Sequence, residues 1–207
     1  MKKNLKLERL VFFCDAVLAI AITLLIFNLK LDHFPKKLTF ADLGYTWQKF
    51  IAFAVSFINL AIFWTNHHSF YSFIKKINIT MLRYNLCWLF FIVTIPFSAS
   101  LVSSYLSNTP AVFIYCLNFF LVTFFQNQIW DYAAKRPEFL NEEITPEVVH
   151  DYKLSCNVAM INPLIAIGLS FFYPQIAFFL LFLRLPFLYI ARRLFKFNKQ
   201  KIKYQEW

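Results

Sequence analysis

Six apolar runs alternate with polar, mostly basic connections along the 207 residues of this chain. They cover about residues 10–29, 51–73, 86–106, 111–130, 158–173 and 176–194. A helix needs about 20 apolar residues to cross a hydrocarbon core, and several of the runs reach that length. Backbone N–H and C=O groups find no water in hydrocarbon, so each run predicts a helix, whose hydrogen bonds close within the segment. The period-two alternation of a membrane barrel does not occur. The pattern therefore predicts an all-α membrane protein, a single unit of six transmembrane helices over residues 1–207 with no internal repeat.

Two connections are longer than the rest, Lys30 to Lys49 and Asp131 to Lys153. The second carries Glu138, Glu142, Glu143, Glu147 and Asp151. It predicts a solvated connector with a short surface helix starting near Thr145-Pro146-Glu147, where proline suits a first helical turn.

Composition removes the soluble alternative. At 59% hydrophobic, 21% aromatic and 15% charged residues, the chain holds more apolar surface than one soluble core of this size would bury. Gly44 and Gly168 are its only glycines, so no Gly-x-x-x-Gly interface exists and the helices must pack through aromatic and aliphatic side chains.

Charge sets the orientation. With the N-terminus inside, the inner segments hold Lys2, Lys3, Lys6 and Arg9, then Lys75, Lys76 and Arg83, then Lys135, Arg136 and Lys153. The C-terminal segment adds Arg192, Arg193, Lys196, Lys199, Lys201 and Lys203, while the outer segments hold only Lys30, Lys36, Lys37 and Lys49. This bias obeys the positive-inside rule and predicts both termini in the cytoplasm. The net charge of +10 accordingly reads as attraction to the anionic lipid bilayer, and no nucleic-acid partner is expected, because no basic face alternates with stacking aromatics.

Other chemistry is sparse. The first run resembles a secretory leader at its basic start, but it is too long, contains Asp15 and lacks a small-residue cleavage site, so it is expected to be a retained span. Cys14, Cys87, Cys116 and Cys156 show no paired or metal-like spacing and read as small packing residues. His67 and His68 lack further ligands at depth, so no metal, cofactor or catalytic residue is expected.

The first run carries the informative positions. A carboxylate as deep as Asp15 costs a few kcal/mol unless paired or hydrated, which marks it as functional or architectural. At about 100° per residue, Phe13, Ile20, Leu24 and Phe27 share one stripe with Thr23 at its margin, and Asp15 lies roughly 140° from Ile20. An apolar pore wall and an ordinary lipid- or helix-facing surface both give this stripe.

The stretch Arg9-x-x-x-Phe13-Cys14-Asp15, followed by Ala19-Ile20-Ala21-Ile22-Thr23-Leu24-Leu25, resembles the Arg-x-x-x-Phe-Ser-Asp signature of the transmembrane protein 175 family of potassium channels, in a prokaryotic member. Trp64-Thr65-Asn66-His67 resembles the family's Trp-x-x-His. Asn85-Leu86 with Pro96-Phe97 resembles its third span. Cys14 departs from the usual Ser, which removes a good hydrogen-bonding hydroxyl.

The resemblance implies a pore lined by the first helix and narrowed by apolar side chains beyond the signature Asp, here Ile20, then Thr23 or Leu24, then Phe27. It implies potassium as the permeant ion, no carbonyl filter, and a homotetramer in the prokaryotic inner membrane. Arg9, Phe13 and Asp15 would hold the first helix against the second and third, beside Trp64 and with His67 and Asn85 as hydrogen-bond partners. A secondary transporter of small solutes, with helices broken at Pro96 and Asn162-Pro163, is the alternative. Arg184, ahead of Pro186, is expected to pair across helices or to snorkel.

Overall fold

The computed structural model describes residues 7–30, 39–40, 44, 46–142 and 144–183. Within them, helix α1 (Leu7–Leu24) tightens into a 3₁₀ turn, Leu25–Asn28. Helices α2 (Trp47–Ser72), α3 (Ile79–Ser104), α4 (Thr109–Ala134) and α5 (Pro146–Ser170) follow, and α6 (Pro174–Phe182) is described for nine residues. No strand occurs among the described residues beyond one isolated bridge, Ile74 to Leu140. The fold is all-α, and among the described residues five helices are long and apolar enough to cross a membrane.

Local sequence explains the boundaries. Asn78 starts α3, its side-chain oxygen accepting from the Met81 amide at 3.0 Å and relieving one of the free N–H groups of the first turn. Proline occupies the first turn of α4, α5 and α6, where its missing N–H costs nothing. Helix α5 differs from expectation: the surface helix and the fifth apolar run are one continuous helix. No glycine or proline stands between Glu147 and Asn162 to break it, and its polar first turns extend the apolar part.

Pro96 and Pro163 lie inside α3 and α5 without ending either helix. The remainder of the sixth apolar run, with Arg184 and Pro186, and the basic termini lie outside the described residues.

With glycine scarce, aromatic rings fill the space between helices. Tyr115 packs against Phe119 and Phe178 through tilted rings with centroids 4.6 and 5.5 Å away, and Phe63 meets Phe119 at 5.8 Å. Polar side chains cross-link the same layers. Ser56 and Tyr115 share a hydrogen bond of 2.8 Å, Gln126 Nε2 donates to the Phe63 carbonyl at 3.2 Å, and Asn162 Nδ2 donates to the Leu180 carbonyl at 3.0 Å. Bonds of this kind add about 0.5–1 kcal/mol each in a bilayer.

At one end of the bundle, two connections pair. The Lys75 amide donates to the Phe139 carbonyl at 2.8 Å, and the Asn141 amide donates to the Phe73 carbonyl at 2.9 Å. Asn141 Nδ2 reaches the Ser72 carbonyl at 2.9 Å. The α2–α3 and α4–α5 connections therefore lie on the same side, as an alternating series of passes requires.

Candidate pore helix and its anchors

Apart from Glu8, Arg9 and Asp15, helix α1 carries no charge, yet it buries only one stripe. Leu10, Cys14, Leu18, Ala21 and Leu25 are covered, spaced four, four, three and four residues apart, which is the period of a single helical face. Only 28% of its most apolar stretch is buried, against 39–50% in the other four spanning helices. The opposite face carries Phe13, Ile20, Thr23, Leu24 and Phe27 outward. Ile20 is 60% exposed and Phe27 62% exposed. A surface this apolar is never left to water, so lipid or another protein surface covers it.

Two features finish this face. The Thr23 hydroxyl donates to the Ile20 carbonyl at 2.8 Å, which spends its proton within the helix and leaves oxygen lone pairs outward. Beyond the 3₁₀ turn, Asn28 Nδ2 donates to the Pro96 carbonyl at 3.1 Å and ties the end of the segment to α3.

The buried stripe is anchored by a polar cluster centred on Asn85. Its Nδ2 donates to Cys14 Sγ at 2.9 Å, and its Oδ1 accepts from the Tyr71 hydroxyl at 3.1 Å and meets His67 Nε2 at 3.0 Å. With Asn85 Oδ1 as the acceptor, His67 Nε2 carries a proton. The His67 ring lies flat on Trp88, centroids 4.4 Å apart, and against Tyr71 at 4.5 Å. Asn85 is fully buried and His67 nearly so.

Asp15 takes a different partner from the one expected. The indole Nε1 of Trp64 donates to Asp15 Oδ1 at 3.0 Å, while His67 pairs with Asn85 and Asn85 donates to Cys14. Arg9 is exposed at the start of the helix, and Phe13 is 51% exposed on the Ile20 face. Sequence reasoning passed over Tyr71, Asn28 and the acceptor role of Cys14. A signal existed for two of them: Tyr71 stands one turn beyond His67, and Cys14 lies in register with Leu10 and Leu18. No cluster of metal-ligating side chains occurs among the described residues.

Comparison with known proteins now bears on this site. The family described as endosomal/lysosomal potassium channel TMEM175 matches residues 9–96, from Arg9 through Pro96. A potassium channel of a Chryseobacterium species is 32% identical over 170 residues, spanning 82% of this chain and 85% of that protein. The chain belongs to the TMEM175 family. A potassium channel of Streptomyces collinus is 25% identical over 165 residues, covering 77% of this chain and 80% of its own. The fold superposes with a TM-score of 0.76 on the crystal structure of a lysosomal potassium-selective channel TMEM175 homologue from Chamaesiphon minutus, at 25% identity over 89% of this chain and 97% of that one. TMEM175 relatives are ion channels rather than enzymes, and the segment matched to the family contains Arg9, Phe13, Asp15, Trp64, His67 and Asn85. This TMEM175 chain is a multi-pass membrane protein.

Proposed function

We propose that the chain is a potassium-preferring cation channel of the cell membrane, with a pore lined by α1 and narrowest at Ile20. The carrying observation is the outward face of α1, where Phe13, Ile20, Thr23, Leu24 and Phe27 form one uncovered apolar stripe. One six-span unit supplies one such helix, and a single helix encloses nothing, so the pore requires a closed ring of copies. Four copies are the proposed number.

In that ring Ile20 projects a branched apolar side chain toward the axis. A collar of such side chains narrows the passage and drives water from it, which is a gate by dewetting. Stripping water from sodium costs more than stripping it from potassium, so the same collar favours potassium. Thr23 lies one turn on, and its oxygen lone pairs replace part of the lost hydration. Leu24 and Phe27 continue the apolar wall.

Orientation with both termini in the cytoplasm puts the paired connections at Ile74 and Leu140 on the inner side, with Lys75, Lys76, Lys135 and Arg136 around them. The transporter reading wants helices broken at the midplane, whereas α3 and α5 run unbroken past Pro96 and Pro163.

The test is ion flux from the purified protein in liposomes, under matched potassium and sodium gradients with and without a proton gradient. Passive potassium flux in excess of sodium flux supports the channel. Flux that appears only with a proton gradient favours the transporter.

A further inference from the structure

Away from the α1 face, a small cleft opens between α2, α4 and α5, lined in part by Asn66, Thr123, Gln126, Asn127, Tyr152 and Ser155. Thr123, Gln126 and Asn127 are 3, 4 and 6% exposed, so polar side chains are buried here between the helices. Buried polar groups are normally hydrogen-bonded, so one left without a partner calls for a physical account.

Their hydrogen-bond accounts share a direction. The Thr123 hydroxyl donates to the Phe119 and Phe120 carbonyls at 2.9 and 2.8 Å. Gln126 Nε2 donates to the Phe63 carbonyl, and Asn127 Nδ2 donates to Asn157 Oδ1 at 2.9 Å. Each of the three spends its donor on the protein and retains oxygen lone pairs. Asn127 Oδ1 is buried with no hydrogen-bond partner among the described residues.

One turn further along the same face of α4, Asp131 Oδ1 is also buried and unpartnered among the described residues. Residues four apart on a helix are neighbours, about 5–6 Å between Cβ atoms. A surplus of acceptor oxygens beside a carboxylate calls for positive charge.

We propose that this cleft is an off-axis site for a monovalent alkali cation, held by oxygens of Thr123, Gln126 and Asn127 with Asp131 supplying the balancing charge. Neutral oxygens with one carboxylate suit potassium or sodium. Divalent calcium takes more oxygen ligands and commonly several carboxylates, and magnesium demands strict octahedral geometry. Transition metals want imidazole or thiolate, which do not cluster here. All four groups come from α4, so the bound cation would neutralise and stiffen the face of that helix turned toward α2 and α5, apart from the outward face of α1.

The experiment follows thermal unfolding of the purified full chain in detergent, with choline chloride exchanged for potassium or sodium chloride at constant ionic strength. A ligand that binds only the folded state raises Tm. The expected result is a rise of a few degrees in the unchanged protein and in Ile20→Asn, and no rise in Asn127→Leu. A rise that persists in Asn127→Leu and disappears in Ile20→Asn would put the cation in the pore and overturn the proposal, as would no rise at all. Should Asn127→Leu fail to fold, anomalous diffraction from thallium(I)-soaked crystals of the unchanged protein decides. A peak between Thr123 and Asn127 is expected, and its absence, including oxygen density without anomalous signal, refutes the site.

Discussion

The Asp15 carboxylate is held by the Trp64 indole, Nε1 to Oδ1 at 3.0 Å, across the contact between α1 and α2. Trp64 is 41% exposed, so this bond lies at the margin of the described bundle, beside the outward face of α1. It fixes the rotation of α1 about its own axis, and with it the direction in which Ile20 points.

Trp64→Phe keeps most of the ring and deletes the donor. It should lower stability by no more than about 1 kcal/mol, because the bond is exposed and solvent can take the place of the lost donor. Adding Asp15→Asn should restore part of the loss, since a neutral amide tolerates solitude better than a carboxylate. Thermal unfolding of the two single variants and the double variant gives the coupling, and strictly additive losses would show that the two residues act separately.

The Asn85 cluster predicts an ordering at position 14. Cys14→Ser retains an acceptor for Asn85 Nδ2 and should stay within about 1 kcal/mol of the parent. Cys14→Val is apolar and somewhat larger, strands the amide and should cost about 1–3 kcal/mol. Asn85→Leu removes the hub from Cys14, Tyr71 and His67 together and should be worse than either. Unfolding midpoints in detergent rank the three, and a Cys14→Val protein as stable as Cys14→Ser would refute the acceptor role of the thiol.

Ile20→Asn should wet the constriction. Potassium flux in liposomes should rise and discrimination against sodium should fall, with the assembled state unchanged on size exclusion. Parental fluxes of both ions would remove Ile20 from the pore.

Thr23→Val preserves shape and removes the oxygen. Loss of one cation-coordinating group worth about 1.4 kcal/mol at the barrier corresponds to a tenfold slower potassium flux, read in the same liposome assay. Unchanged flux would leave Thr23 as a helix-capping hydroxyl only.

Lys75 and Glu142 approach at 3.2 Å, but their side chains are 37% and 93% exposed. Screening by solvent limits such a pair to under about 1 kcal/mol. Glu142→Ala should therefore leave the unfolding midpoint almost unchanged, whereas Asn141→Ala, which loses its bond to the Ser72 carbonyl, should lower it measurably.

The helices were legible from hydropathy because bilayer thickness and backbone satisfaction leave few alternatives. The outward stripe of α1 was legible as well, since Phe13 and Ile20 stand seven residues apart and fall within about 20° of each other. Periodicity put Phe13 on the Ile20 stripe, where it is half exposed, without saying what covers that stripe. The partner of Asp15 was harder to read. Trp64 and His67 differ by about 60° around α2, so a small rotation of that helix decides which meets the carboxylate and which turns inward to Asn85. A single sequence does not encode that rotation visibly, because α2 is polar and aromatic on both of those faces.

The paired backbone segments at Phe73–Lys75 and Phe139–Asn141 bear on biosynthesis. The first segment emerges from the ribosome more than sixty residues ahead of its mate, so the α2–α3 turn is threaded and waits with its amides hydrated until α4 has been inserted. The pairing then acts as a latch that closes only when α4 has crossed in the correct direction. A chain with α3 or α4 inverted or skipped would leave the two segments on opposite sides of the membrane, and quality-control proteases would meet an open, cleavable turn in place of a closed one.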